Sequence, residues 1–333
     1  MIISRTPFRV SFFGGGTDYP PWYEQHGGAV LGTTINKYCY ITCRHLPPFF
    51  EHKSRIIYSK MEHVKKISDI EHPAVREVFR FLKLKEGVEI HHDGDLPART
   101  GLGSSSSFTV GLLNSLYALK GEMVTKERLA KEAIHIEQNM CKENVGCQDQ
   151  MLAAHGGFNY IKFGGTKHLQ IQKVSLTAKK IETLESHLML YFTGFSRTAS
   201  EIAAHQVKNI PKKEKELTRM HQMVKHAIDL LNAGRLKEFG ELLDESWNIK
   251  RTLSTRVSTS KIDAMYDAAK KAGAVGGKLL GAGGGGFVLL FVPPAQQKKV
   301  NESLKKLLLV PFKFENLGTQ IIFYQPNGEY SDK

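Results

Sequence analysis

Pro97, Arg99, Gly101, Leu102, Gly103, Ser104, Ser105 and Ser106 cluster in one short stretch, and from Thr100 to Leu119 the chain has no charged side chain. Glycine tolerates positive φ and brings bare backbone close to a ligand, while the serines add hydroxyls. Phe108, Leu112, Leu113, Leu116 and Leu119 recur at helical spacing, with Gly111 and Ala118 small enough for close packing, so the spacing predicts a buried helix opening at the serines. Its first N–H groups lack helical partners and sit at the positive end of the helix dipole. These features suit the oxygens of a di- or triphosphate, with Ser104 or Ser105 left to reach a magnesium ion. A plain serine-rich helix cap would share part of the pattern. Two commoner phosphate motifs are excluded: no Lys precedes the Ser/Thr as a Walker loop requires, and Ser106 stands where a dinucleotide loop needs its third glycine.

Other candidates are spread along the chain. Residues 2–13 alternate as a strand that carries Arg9 and breaks at Gly14, Gly15 and Gly16, after which Thr17 and Asp18 enter a loop; Asp18 there serves a ligand or an Asx-turn. Thr125 is the expected N-cap of a helix through Cys141, whose apolar stripe of Ala130, Ala133, Ile134, Met140 and Cys141 includes Glu137. A carboxylate on such a face needs a partner, either a divalent cation bridging nucleotide phosphates or an Arg or Lys. Asp149 falls in the first turn of a short helix closed by Gly156 and Gly157. Ser196 and Arg197, where a strand turns into a helix, form a candidate site for a phosphate already on the substrate. Residues 281–286, including Gly283 and Gly284, are glycine or alanine throughout, a composition kept for close approach.

The elements that must hold these groups are those of a globular protein. The chain has 333 residues, 41% apolar and 24% charged, enough for two domains, with a change of character near residue 185. Residues 30–42 read as two strands interrupted near Asn36 and Lys37, residues 73–84 as a helix, and residues 88–91 as a strand in which His91 and His92 face opposite sides and are structural. After the boundary come long amphipathic helices broken at Pro211 and Gly234, and then closing strands near Phe312 and 321–324, expected to join a C-terminal α+β unit. The formal charge of +13 is dispersed over solvated faces such as Lys208 to Lys215, without interleaved aromatics, so mild steering of anionic substrates is expected and specific nucleic-acid binding is not. No apolar run is long enough to cross a bilayer and no signal segment opens the chain, so the expected location is cytoplasmic, without a membrane partner. Cys39, Cys43, Cys141 and Cys147 lack zinc spacing and are expected to be free.

The Pro-x-x-x-Gly-Leu-Gly-Ser-Ser-Ser turn resembles the second motif of the GHMP kinase superfamily. Arg5 to Tyr19 resembles the first motif, and Lys278 to Phe291 the third, in the family's order. The resemblance implies a two-domain α+β fold, with a ribosomal protein S5 domain 2-like unit over residues 1–185 and a ferredoxin-like unit over 186–333. It implies ATP and Mg²⁺ as cofactors, the turn from Pro97 to Ser106 on the nucleotide, and Ser105 with Glu137 on the metal. Asp149 and Arg9 would act at the reacting groups. Asp18, Gly15, Gly16, Thr17, Arg197, Gly283 and Gly284 would face the acceptor. Gly15 and Gly16 replace a Glu-His pair of the galactokinase pattern, which leaves room for a bulkier sugar. Within the superfamily the motifs look most like the D-glycero-D-manno-heptose 7-phosphate kinase group, implying transfer to the anomeric hydroxyl of a sugar phosphate. The rivals are a kinase of an unphosphorylated sugar such as fucose and a non-catalytic sensor of sugar and ATP. A homodimer is the one protein partner admitted.

Overall fold

The computed structural model describes residues 1–85, 87–164, 169–194 and 199–326. The first part of the chain runs through β1 (Ile2–Phe13), α1 (Pro20–His26), β2 (Gly28–His45), β3 (Ser54–Ile57), β4 (Met61–Val64), α2 (Pro73–Phe81), β5 (Val88–Gly94), α3 (Ser104–Leu119), α4 (Lys126–His135), α5 (Gln148–His155), β6 (Phe158–Phe163) and β7 (Leu169–Lys173). The remainder comprises α6 (Ala178–Ser186), β8 (Leu188–Phe192), α7 (Ala199–Asn209), α8 (Glu214–Ala233), α9 (Leu236–Thr252), α10 (Ser260–Lys271), β9 (Gly276–Leu279), β10 (Phe287–Phe291), α11 (Gln297–Ser303), β11 (Leu308–Leu309), β12 (Phe314–Glu315) and β13 (Gln320–Tyr324). This is an α+β fold on two sheets. The larger follows the order β13-β1-β2-β5-β3-β4, with β6 and β12 also on β2; the smaller is β11-β8-β10-β9.

β2 is one strand of 18 residues, not the two expected. Its register against β1 jumps from Tyr38 opposite Pro7 to Ile35 opposite Phe8, so Asn36 and Lys37 form a bulge. Pro7 has no N–H to donate, and the ladder is interrupted at that point. The closing strands also depart from the expected placement in the C-terminal unit, because β12 pairs with β2 and β13 with β1 in the first sheet. A period of two identifies a strand but does not say which edge it will join.

α3 is buried on nearly every face, as its uncharged sequence requires. The Ser4 hydroxyl donates to the Gly111 carbonyl at 3.0 Å and the Ser107 hydroxyl to the Pro7 carbonyl at 2.9 Å, so the helix is fastened to β1 by buried polar contacts. The two sheets share a core through α9, whose Phe239 ring lies 5.8 Å from Phe12, 5.2 Å from Phe13 and 6.1 Å from Phe291. The lysines from 208 to 215 and 298 to 306 are exposed or half-buried, as their pattern suggests. Among the described residues no helix is long and apolar enough to cross a membrane.

A Cβ at Gly111 would lie 2.7 Å from Thr6 Oγ1, and that oxygen is held at 2.8 Å from Thr319 Oγ1. Alanine would raise helix propensity by about 1 kcal/mol, but overpacking a filled core costs about 1–3 kcal/mol. Gly111→Ala is therefore expected to lower the midpoint of thermal unfolding; an unchanged or raised midpoint would contradict this packing.

Candidate active site

The phosphate turn enters α3 through Gly103, which is in the left-handed region and caps the helix without a side chain. Arg99, at φ 62°, starts the turn and is exposed, and its N–H donates to Ser104 Oγ at 3.1 Å. The Pro97 carbonyl accepts from Thr100 Oγ1 at 2.7 Å, which closes the turn. Leu102 is buried, and its carbonyl accepts from the Arg9 N–H at 3.0 Å. A Cβ at Gly101 would sit 2.5 Å from the Leu280 carbonyl oxygen, so backbone touches backbone where the third glycine loop meets the turn. Within that loop Gly284 is buried and donates its N–H to the Val257 carbonyl at 2.8 Å, and Gly283 packs on Val257, so this segment braces the turn from behind.

Ser105 lies at the surface and Ser106 is buried, and both hydroxyls donate to Glu137, at 3.2 Å and 2.8 Å. Thr109 Oγ1 adds 2.9 Å and Gln150 a further contact through its amide. Ser104 is turned to Arg99 instead, so Ser105 is the surface hydroxyl beside Glu137. The helix bearing Glu137 does not continue regularly to Cys141. α4 ends at His135 and residues Ile136–Met140 form a π-turn, a widening that a 3.6-residue period cannot register and that often accompanies function. Glu137 is 1% exposed, and among the described residues its side-chain hydrogen-bond partners are all neutral. Burial pushes its carboxyl up to about 7 against the hydroxyl and amide donors. A divalent cation fits a carboxylate so placed, and among the described residues no three His, Cys, Asp or Glu side chains converge to hold one unaided. Phosphate oxygens would have to complete its ligands.

Arg9, 4% exposed, meets Asp149 through two parallel bonds, Nε to Oδ1 at 2.6 Å and Nη2 to Oδ2 at 2.7 Å, and its Nη1 donates to the Gly101 carbonyl at 2.6 Å. Asp18 is 2% exposed and accepts from the Gly16 N–H and from Gln148 Nε2, each at 2.9 Å. Burial raises its pKa, with Asp149 adding repulsion. A Cβ at Gly146 would lie 1.8 Å from Asp18 Oδ2, which accounts for glycine just ahead of α5. Thr17 is fully buried and donates to the Gly14 and Ala29 carbonyls at 2.8 and 3.0 Å, so it braces the loop from beneath. Beside Gly15 lies Ser11 Oγ, buried without a hydrogen-bond partner, and the Gln148 amide approaches through the Nε2 that serves Asp18. Arg197 lies outside the described residues.

Sequence reasoning missed Gln148, Gln150 and Thr109. The signal available was Gln-Asp-Gln: three successive residues of α5 point to Asp18, Arg9 and Glu137 in turn. It also missed an aromatic group beside the turn. The His72 ring stacks on Phe108 at 4.8 Å, His92 meets Phe108 edge-on at 5.0 Å, and Tyr58 meets His72 at 4.9 Å. Burial draws His72 down to about 4 and lowers His92, which suits a neutral apolar surface.

A carboxyl raised in the fold stabilises it most in the protonated form. That contribution is complete below the unfolded value of 4.5 and is lost as pH rises through about 7. At roughly 1.4 kcal/mol per unit the loss is on the order of 3 kcal/mol. Relative to Glu137→Gln, a neutral mimic, metal-free wild-type protein is therefore expected to lose thermal stability between roughly pH 5 and pH 8. Parallel stability curves for the two proteins would contradict a buried carboxyl with no cation partner.

Comparison with known proteins bears on the arrangement. The family model for the GHMP kinases N terminal domain matches residues 65–157, and the model for GHMP kinases C terminal matches residues 227–308. A D-glycero-alpha-D-manno-heptose 7-phosphate kinase of Campylobacter jejuni is 30% identical over 293 residues, covering 84% of this chain and 86% of the relative. The crystal structure of a D-glycero-D-manno-heptose 1-phosphate kinase from Bacteroides thetaiotaomicron superposes with a TM-score of 0.79 at 25% identity, covering 96% and 98% of the two chains. The Lactococcus lactis galactokinase structure with galactose, at 18% identity and a TM-score of 0.72 over 96% and 94%, shares the fold. With both domains matched in order and a relative aligned over most of its length, this chain belongs to the GHMP kinases, which transfer a phosphoryl group from ATP.

Proposed function

We propose that the chain is a sugar kinase that transfers the γ-phosphoryl group of ATP to the anomeric hydroxyl of D-glycero-D-manno-heptose 7-phosphate, giving the 1,7-bisphosphate. The observation that carries this reading is the meeting of two half-sites. A Cβ at Gly103, where the phosphate turn becomes α3, would lie 3.4 Å from Asp149 Oδ2 and 3.1 Å from Arg9 Cγ. The phosphate turn and the Asp149 carboxylate thus lie side by side, which supports direct transfer between a donor on the one and an acceptor at the other.

In the reaction, the acceptor oxygen forms a bond to γ-phosphorus as the bond to the β-γ bridging oxygen breaks, and ADP leaves with that electron pair. Asp149 keeps lone pairs beyond those used by Arg9, and with one of them it accepts the hydroxyl proton. Arg9 holds Asp149 in line and joins it to the Gly101 carbonyl of the donor turn. Asp18, fixed by Gln148 and Gly16, takes a hydrogen bond from a second acceptor hydroxyl. Ser11 Oγ, beside Gly15 and costly to bury unpaired, gains a partner when a hydroxyl-rich molecule enters there. N–H groups at the start of α3 receive the phosphates, and the neutral face of His72, Phe108 and Tyr58 supports a base. Ser105 and Glu137 would hold Mg²⁺, which supplies neutralisation of charge on the β- and γ-phosphates. The choice of a heptose phosphate is supported by the two relatives named for heptose phosphates, and Arg197 is the proposed partner of the distal phosphate.

The test is ADP release with ATP and Mg²⁺ across heptose 7-phosphate, fucose, galactose and mevalonate. Turnover is expected on heptose 7-phosphate, with kcat reduced about 10²- to 10⁴-fold in Asp149→Asn. Arg197→Ala is expected to raise KM for the sugar phosphate about tenfold or more and to leave that for a neutral sugar nearly unchanged. Preference for fucose or galactose would replace the acceptor and discard the role of Arg197, and failure on every acceptor would overturn the reading.

A further inference from the structure

Two lysines outside the proposed chemistry are buried beneath it. Lys278 of β9 is 2% exposed and Lys250 of α9 is 6% exposed. Both belong to the second half of the chain, yet the charges of Arg9 and Asp18 of the first half act on each, and that of Lys278 acts on Lys250. Among the described residues their side-chain hydrogen bonds all go to main-chain carbonyls. Lys278 Nζ donates to Phe12 at 2.8 Å, and Lys250 Nζ donates to Leu279 at 3.0 Å and to Gly281.

The carbonyls they select are informative. Along β1 the ladder to β2 passes from Ser11 opposite Gly32 directly to Phe13 opposite Leu31, so Phe12 is the extra residue of a second bulge. Its main chain is left out of the ladder inside a core, where an unpaired carbonyl costs about 1–3 kcal/mol. Two residues later β1 becomes the loop of Gly14, Gly15, Gly16 and Asp18. The direction in which that loop leaves the sheet follows from the bulge, and Lys278 holds the bulge. Lys250 acts on the opposite side. The Gly281 it grips packs on Gly101, where a Cβ at Gly281 would come within 2.4 Å of Gly101 Cα. Gly101 in turn offers its carbonyl to Arg9 Nη1 at 2.6 Å.

We propose that both lysines are positioning residues for phosphoryl transfer: Lys278 aims the acceptor loop through the Phe12 carbonyl, and Lys250 fixes the phosphate turn through the third glycine loop. Burial, with Arg9 adding repulsion and Asp18 opposing it, draws Lys278 down to about 7. Ammonium and amine both donate to a carbonyl, so the tether persists through that titration. A merely structural pair of lysines would loosen both loops together when either was lost. Positioning residues divide the effect.

The inference rests on the proposed reaction for its kinetic consequence only, and amide hydrogen exchange on the whole ligand-free chain tests it without any acceptor. In Lys278→Met, exchange across residues 14–18 is expected to quicken about tenfold, the equivalent of one lost hydrogen bond, with residues 100–106 within about twofold of wild type. Lys250→Met is expected to give the reverse. If Lys278→Met does not fold, Lys278→Gln, shorter but still a donor, is expected to quicken the same segment selectively. Equal change in both segments, or none, overturns the proposal. With any acceptor the wild type turns over, Lys278→Met is expected to raise acceptor KM about tenfold and hold KM for ATP within about twofold; the opposite split also overturns it. Absence of turnover in the wild type would count against the kinase reading alone, since exchange decides the role of the lysines.

Discussion

A guanidinium that is almost wholly buried must be fully paired, because an ion removed from water without compensation costs several kcal/mol. Arg9 meets that requirement with three side-chain hydrogen bonds that join its own strand to two other parts of the fold. It rises from β1, clasps Asp149 at the start of α5 in a bidentate ion pair, and donates to the Gly101 carbonyl of the phosphate turn. Removing either partner would leave a buried charge, so the three elements are held to one another by the cost of separating them. The rest of the site is arranged around that junction.

α5 distributes the consequence. Gln148 holds Asp18, Asp149 holds Arg9 and Gln150 reaches Glu137, so one short helix orients an acceptor carboxylate, an ion pair and a metal-binding candidate. Such an arrangement needs a rigid platform. α3 supplies it by being buried in the first sheet, and the third glycine loop supplies the backing, since glycine allows Leu280 and Gly281 to lie directly on Gly101. The hydroxyls at the start of α3 are thereby presented from an element that cannot shift independently of β1.

Much of this was legible in the sequence because local pattern determines it. The uncharged run from Thr100 to Leu119 could only be a buried helix, and a polar turn ahead of it could only be a cap or a ligand site. Glu137 was conspicuous as a carboxylate on an apolar stripe. What stayed hidden depends on partners distant in sequence. That Arg9 points inward to Asp149, 140 residues away, has no local signature. Nor does the return of Gln320–Tyr324 to pair with β1, since an edge strand reads alike whichever sheet receives it. The π-turn at Glu137, the two-residue bulge at Asn36 and Lys37 and the bulge at Phe12 each insert residues into a regular element, which periodicity averages away. The burial of Lys250 and Lys278 has no local signature either, because it follows from the docking of the second half onto the first.

The account makes Arg9 and Asp149 one functional unit. The most direct test is a double-mutant cycle of Arg9→Gln and Asp149→Asn, read as kcat/KM on the acceptor that the wild type phosphorylates. If the pair acts as a unit, the double variant will fall no more than about threefold below the worse single variant. Losses that multiply, so that the double variant drops by the product of the two single effects, would mean that Arg9 and Asp149 act separately and would contradict the central role given to their pairing.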